Sequence, residues 1–196
     1  MLSQIRPALV MMTVMLLLTG VAYPLGVTAL AQLVFPDQAH GSLVERDGRV
    51  IGSRLVGQPF AGAGYFHPRP SAAGAGYDAA ASGGSNLGPT SSALLARVNA
   101  AAGRLSDEAG GLPVPVDLVT TSGSGLDPDI SPAAAQFQAP RVAGARGLTL
   151  LQVRRLVRAQ TAGRTFGLFG EPRVNVLQLN LALDALTATG EPPPTD

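Results

Sequence analysis

Apolar positions follow three rhythms along this chain, and each predicts a different element. From Ala8 to Phe35 there is no charged residue, and positions 8–18 are almost unbroken Leu, Val and Met, the pattern of a helix surrounded by lipid rather than one with a wet face. Short apolar runs at 42–45 and 50–53 then flank Arg46-Asp47-Gly48-Arg49, and Asp-Gly in that setting predicts a tight hairpin. Positions 59–89 are dense in Gly, Pro and Ser with Phe60, Tyr65, Phe66 and Tyr77 among them, which predicts an ordered, irregular surface. A helical period follows: a cap at Thr90 or Ser91, apolar Leu94, Leu95 and Val98, and an end near Leu105, before Gly110-Gly111. Positions 112–121 read as a short buried strand. Ser131 before Pro132 predicts a cap and a first-turn proline opening an Ala-rich helix. Pro140 interrupts it, so two short helices are expected. Thr149 caps a further helix in which Leu150, Val153, Leu156 and Val157 recur at helical spacing while Arg154, Arg155 and Arg158 form the wet face. Positions 173–176 predict a strand entering a last helix with Leu177, Leu179, Leu181, Leu183 and Leu186, and 190–196 a disordered tail. With no βαβ repeat and no internal self-similarity, the fold class is α+β, or irregular α/β, with a sheet of three or four strands.

The first rhythm sets the topology. A helix from Ala8 to Phe35 reaches roughly 40 Å at about 1.5 Å per residue, against a hydrocarbon core of roughly 30 Å. Pro24 is expected to kink it, and Gly20 and Gly26 offer close approach to a neighbouring helix. A cleaved signal peptide is the rival reading, since Arg6 precedes the run and Ala29-Leu30-Ala31 resembles a cleavage site. Secretory apolar regions span only about 7 to 15 residues, so an uncleaved anchor fits better. Arg6 lies before the helix and Asp37 after it, which by the positive-inside bias places the N-terminus in the cytoplasm. The expected organisation is therefore an anchor at 1–36 with its transmembrane helix at about 8–34, an extracytoplasmic domain at 37–189, and the tail. One helix without ionisable groups cannot line an ion path, so any transport role needs partners.

Composition narrows the chemistry. The 196 residues suffice for one domain plus an anchor. Only 14% are charged, against roughly 25% in soluble proteins, and mean hydropathy is +0.25. A net charge of +1 provides no basic stripe for nucleic acid. Every basic residue other than histidine is Arg, which excludes a Walker-type phosphate loop. With no Cys, thiol nucleophiles, disulfides and Cys-based metal sites are excluded too.

No catalytic constellation stands out. His40 and His67 sit in loops without a Glu or His at ligand spacing, so no metal site is expected. Ser122-Gly123-Ser124-Gly125 lacks the Gly-x-Ser-x-Gly spacing of a nucleophile elbow and no histidine follows it. Asp127, Asp129 and Glu171 are candidate acids, yet Asp127-Pro128 and Glu171-Pro172 are also ordinary turn pairs. Ser82, Gly83, Gly84, Ser85 and Asn86 form the one segment with binding character, because adjacent glycines beside hydroxyls can present backbone N–H groups to an anion. A plain turn presenting Asn86 and Leu87 to the next helix is the competing reading. The residues themselves thus point to an anchored outer domain that is not an enzyme on its own.

Seven segments in order resemble the C subunit of the Kdp-type potassium-transporting ATPase of bacteria, the KdpC family. They are Gly52-Ser53 with Gly57-Gln58-Pro59-Phe60; Tyr65 to Ser71; Ser82 to Pro89; Val114 to Thr120; Ser122 to Pro128 with Ile130-Ser131-Pro132; Arg141-Val142-Ala143; and Gly170 to Asp184. The resemblance implies a single-pass inner-membrane subunit of a high-affinity potassium importer. Its partners would be a channel-like potassium-binding subunit, a P-type ATPase subunit and a small single-helix subunit. Potassium would be the transported ion, with ATP met only through the complex. The family role so implied is a catalytic chaperone that raises the ATP affinity of the ATPase subunit, with nucleotide contact through Ser82, Gly83, Gly84, Ser85 and Asn86. An outer domain meets almost no ATP, so the physically easier role within the resemblance is assembly, with the helix packed against the partner subunits and the outer domain stabilising or shielding the potassium entrance. Two alternatives of other classes are a free-standing envelope-binding domain using the aromatic loop 59–77, and a hydrolase that would lose activity on Ser124→Ala.

Overall fold

A computed structural model describes residues 2–189; the expected tail at 190–196 lies outside them. The chain divides into two compact units, Met1–Ile51 and Gly52–Asp196.

In the first unit, α1 (Ile5–Leu17), a π-helical stretch (Leu18–Ala22) and α2 (Tyr23–Val34) form one apolar helix of 30 residues, long enough to cross a membrane. Side chains along it are exposed, among them Met12 at 62% and Leu33 at 82%. Only lipid or a partner would keep such a surface from water. Pro24 enters at the second position of α2 just after the π-helical stretch. The feature expected as a kink is thus met by a widened turn, which accommodates the missing N–H and the bulky ring. The short helix α3 (Pro36–Ala39) follows, then the predicted hairpin of β1 (Leu43–Arg46) and β2 (Arg49–Ser53). Asp47 and Gly48 both have positive φ, 53° and 72°, as a two-residue hairpin turn of this hand requires.

The second unit opens with irregular chain and one 3₁₀ turn at Ala79–Ala81. Helix α4 (Ser92–Glu108) is capped by Ser91, whose Oγ accepts from the Leu94 N–H at 3.4 Å. The strand expected at 112–121 does not form; the segment is irregular apart from a 3₁₀ turn at Val116–Leu118. Pro113 and Pro115 alternate, so two successive donors on one edge of such a strand would be missing at its start. The apolar positions there do not share a face either: Leu112 and Val116 are exposed while Leu118 and Val119 are buried.

Next come β3 (Asp129–Ile130), α5 (Pro132–Arg146), α6 (Leu150–Ala159), β4 (Thr161–Ala162), β5 (Arg173–Asn175) and α7 (Val176–Thr189). The strands pair antiparallel in the order β3-β5-β4, with Ile130 and Thr161 on either side of Val174. Strands so short bury little, and the core belongs mainly to the helices: Ala139 and Val142 from α5, Val153 and Val157 from α6, Leu179 and Leu183 from α7, closed by Phe66 from the loop, all at 0% exposure. Helix α5 runs unbroken through Pro140, contrary to the expected pair of short helices. Pro140 is on the exposed side, where the carbonyl it crowds can turn to water, while the buried stripe on the other side continues past it. Thr149 and Gln152 complete a capping box on α6, and Arg154, Arg155 and Arg158 are exposed as predicted.

Candidate functional site

Long-range polar contacts in the second unit gather around one irregular stretch, 62–71, and the side chains that hold it come from α5 and α7. Asn180, at 1% exposure, grips the Phe66 peptide on both sides: its Oδ1 accepts from the Phe66 N–H at 2.8 Å and its Nδ2 donates to the Phe66 carbonyl at 2.9 Å. Gln138 does the same for His67, at 2.8 and 3.0 Å. These amides stand in for a β-ladder, satisfying backbone groups that would otherwise be buried unpaired. Arg141 donates to the carbonyls of Ala63 and Tyr65 and to Gln138 Oε1. Arg146 donates to the Gly64 carbonyl, pairs with Asp184 at 2.8 Å and lies 4.4 Å from the Tyr65 ring centre.

The Gly-Ser segment is docked rather than free-standing. Ser82 Oγ donates to the Ser124 carbonyl at 3.0 Å, and the Gly83 N–H donates to the same oxygen at 2.8 Å. A Cβ on Gly84 would sit 3.1 Å from the Gly123 carbonyl oxygen, and one on Gly125 would meet the Gly83 carbonyl oxygen at 2.5 Å. Glycine is thus required at Gly125, where φ is +67°, and at Gly84 a side chain would press on the crossing loop. The sequence treated Ser82–Asn86 and Ser122–Gly125 as separate motifs; the structure makes them one contact. Asn86 takes a positive φ of 52° and is exposed. Ser85 Oγ accepts from Arg97 Nη2 at 3.4 Å, and Arg97 Nε is buried with no hydrogen-bond partner among the described residues. Nearby, Arg69 pairs with Asp127 at 3.0 Å, and Ser71 Oγ accepts from the N–H groups of Ala73 and Tyr77.

Other sequence candidates are occupied locally. Ser124 Oγ accepts from the Leu126 N–H and faces Ser122 Oγ at 3.4 Å, the environment of a loop. Asp127 also accepts from the Asp129 N–H, and Glu171 pairs with Arg164. His40 Nδ1 lies 2.7 Å from the Pro36 carbonyl, and His67 Nε2 3.1 Å from that of Gly62. Among the described residues no group of three or more His, Asp or Glu could hold a metal ion.

Two clefts lie beside these loops. One, of about 820 Å³, is lined by Pro68, Leu105, Leu112 and Phe137 with His67, Glu108 and Arg141 at its polar positions. Burial first, and the Arg141 guanidinium second, hold the His67 imidazole below its ordinary 6.5. The other, about 490 Å³, is lined by Asp117, Asp127, Asp129 and Glu171 with Arg69 and Arg173. Burial pushes the Asp129 carboxyl up, opposed by the Asn175 hydrogen bond and Arg173.

Asn180, Gln138, Arg146 and Asp184 were not singled out by sequence reasoning. The one available signal was an amide set in the Leu-rich helix 176–189, where a buried Asn needs a partner.

With this geometry in place, the comparisons with known proteins are specific. A family model described as "K+-transporting ATPase, c chain" (KdpC) matches residues 5–185. The potassium-transporting ATPase KdpC subunit of Methylobacterium nodulans is 61% identical over 198 residues, covering 95% of this chain and 98% of that one. The KdpC subunit of Caulobacter vibrioides is 60% identical over 94% of each chain. That of Acidobacterium capsulatum is 57% identical over 94% of this chain and 99% of its own.

Proposed function

The chain belongs to the KdpC family, subunits of the K+-transporting ATPase, and from that premise we propose that it works as a membrane-anchored assembly subunit of the potassium importer. Its N-terminal helix is a permanent stalk packed against partner helices, and the domain at 37–189 stands outside the inner membrane. The observation that carries this reading is the 30-residue apolar helix Ile5–Val34, whose exposed flanks need lipid or protein cover. Arg6 before it and Asp37 after it support the orientation. The partners are a channel-like potassium-binding subunit, a P-type ATPase subunit and a small single-helix subunit. This chain supplies no catalytic group; through those contacts it stabilises the complex and raises the ATP affinity of the ATPase subunit. Deleting the chain should abolish growth on micromolar potassium, and the full chain should restore it. Unimpaired growth of the deletion strain would reject the reading.

A second reading, direct contact with a nucleotide phosphate at Ser82, Gly83, Gly84, Ser85 and Asn86, is favoured by one observation. Arg97 reaches Ser85 while its Nε lacks a partner among the described residues, so a cation borders that loop. Here Arg97→Ala should weaken ATP-analogue binding to the assembled complex about tenfold, the worth of a charge-assisted contact. Unchanged affinity would remove this reading and leave the assembly role standing.

A further inference from the structure

The N-terminal apolar helix is one hydrogen bond short at its midpoint. At the end of the π-helical stretch Leu18–Ala22, the Tyr23 N–H donates to the Leu18 carbonyl, five residues back. The next carbonyl, that of Thr19, would take the N–H of residue 23 in a regular helix, or that of residue 24 in the widened turn. The first is given to Leu18, and the second does not exist because residue 24 is Pro. The Thr19 hydroxyl is no substitute, since it donates to the Met15 carbonyl at 2.7 Å. The widened turn thus makes room for the proline ring and leaves the Thr19 carbonyl without either of its helical donors.

Depth decides what this means. Thr19 and Gly20 are the fifteenth and sixteenth of the 30 residues in the span Ile5–Val34. In the anchored arrangement the carbonyl therefore lies at mid-bilayer, where hydrocarbon offers no donor and water does not reach. Its surroundings define what can fill the gap. A Cβ on Gly20 would meet nothing within 4 Å, so the backbone of a neighbouring helix can approach closely. The carbonyl's partial negative charge calls for a donor, and a lysine or arginine at that depth is opposed by the cost of burying its charge. A second copy in the same orientation would bring its own Thr19 to that depth, and that hydroxyl is already taken. Resting on the assembly role argued above, we propose that the turn at 18–24 is the docking point for a transmembrane helix of a partner subunit, whose neutral hydroxyl or side-chain amide donates to the Thr19 carbonyl.

The test uses the assembled complex in native membranes. Tyr23 lies one turn beyond Thr19 on the same side and is 69% exposed. With Tyr23→p-benzoylphenylalanine, irradiation should give an adduct on a partner's transmembrane helix within a turn of a Ser, Thr, Asn or Gln. An adduct on a stretch without such a residue, with a second copy, with lipid only, or none at all would overturn the proposal. In parallel, P24A restores the missing N–H and ties the carbonyl into its own helix. It should retain about three- to tenfold less partner on affinity purification, the worth of an interhelical hydrogen bond, at unchanged abundance in the membrane. P7A, the same substitution in the first turn of the helix, should retain partners fully. Replacing the mapped donor by an apolar residue of similar shape should weaken retention as P24A does, and combining the two should add less than about twofold. Fully multiplicative losses would mean that the two groups do not meet. If the parent chain brings down partners and P24A does so equally well, the mid-membrane hydrogen bond is wrong and the assembly role survives. If the parent chain brings down none, the assembly role itself fails, and this inference with it.

Discussion

Two aromatic loops in the same unit have opposite fates. In the stretch 60–67, Phe66 is at 0% exposure, whereas in 165–169 Phe166 is at 90% and Phe169 at 68%. Composition does not separate them, since both mix Gly with Phe. What separates them is the grip of distant side chains: the first is held by Asn180, Gln138, Arg141 and Arg146, the second chiefly by its own backbone and the Arg164–Glu171 pair. Burying an aromatic loop requires partners for its peptide groups as well as a greasy hole for its ring. Where these are absent, the aromatic surface stays outside for something else to cover.

This contrast can be broken in graded steps. Phe66→Ala should cost about 3–5 kcal/mol, as expected for emptying a fully buried aromatic site, read as a lowered midpoint in denaturant. Asn180→Leu, of the same branching but larger, leaves the Phe66 N–H and carbonyl buried and unpaired, so at least about 2–4 kcal/mol should be lost. A loss near zero would mean that the loop is held by packing alone. Arg146→Ala removes a partly buried ion pair, a bond to Gly64 and the Tyr65 stacking together, and about 1–2 kcal/mol is expected.

His67 offers a pH handle on the same loop. Its folded-state pKa lies below 6.5, so the fold prefers the neutral ring; the stability it contributes is full above 6.5 and falls away as pH drops below that value toward the folded pKa. His67→Gln should therefore flatten the decline in thermal midpoint between about pH 7 and pH 5. An unchanged slope would assign the decline to other groups. Smallest of all, Phe166→Ser should alter domain stability by less than about 0.5 kcal/mol, since little is buried there.

Much of the fold was legible locally. The Asp47-Gly48 turn, the caps at Ser91, Ser131 and Thr149, and the apolar stripe of 150–157 each depend on residues within a few positions of one another. The failures came where tertiary context overrode a local rule. Pro140 was expected to end a helix, yet a buried alanine face carries α5 past it. Apolar residues at 112–121 suggested a strand, but two alternating prolines remove donors at its start and the apolar side chains share no face. The clamps were least legible, since Asn180 and Phe66 are 114 positions apart and no periodicity links them. Likewise, Ser82 to Asn86 was visible as a Gly-Ser segment, but not its docking on Ser124.

Native mass spectrometry of the detergent-extracted complex tests the anchored-subunit account most directly. It should find the full-length chain of 19.9 kDa bound to larger membrane subunits. A solitary chain, or one beginning near Gln32, would contradict it.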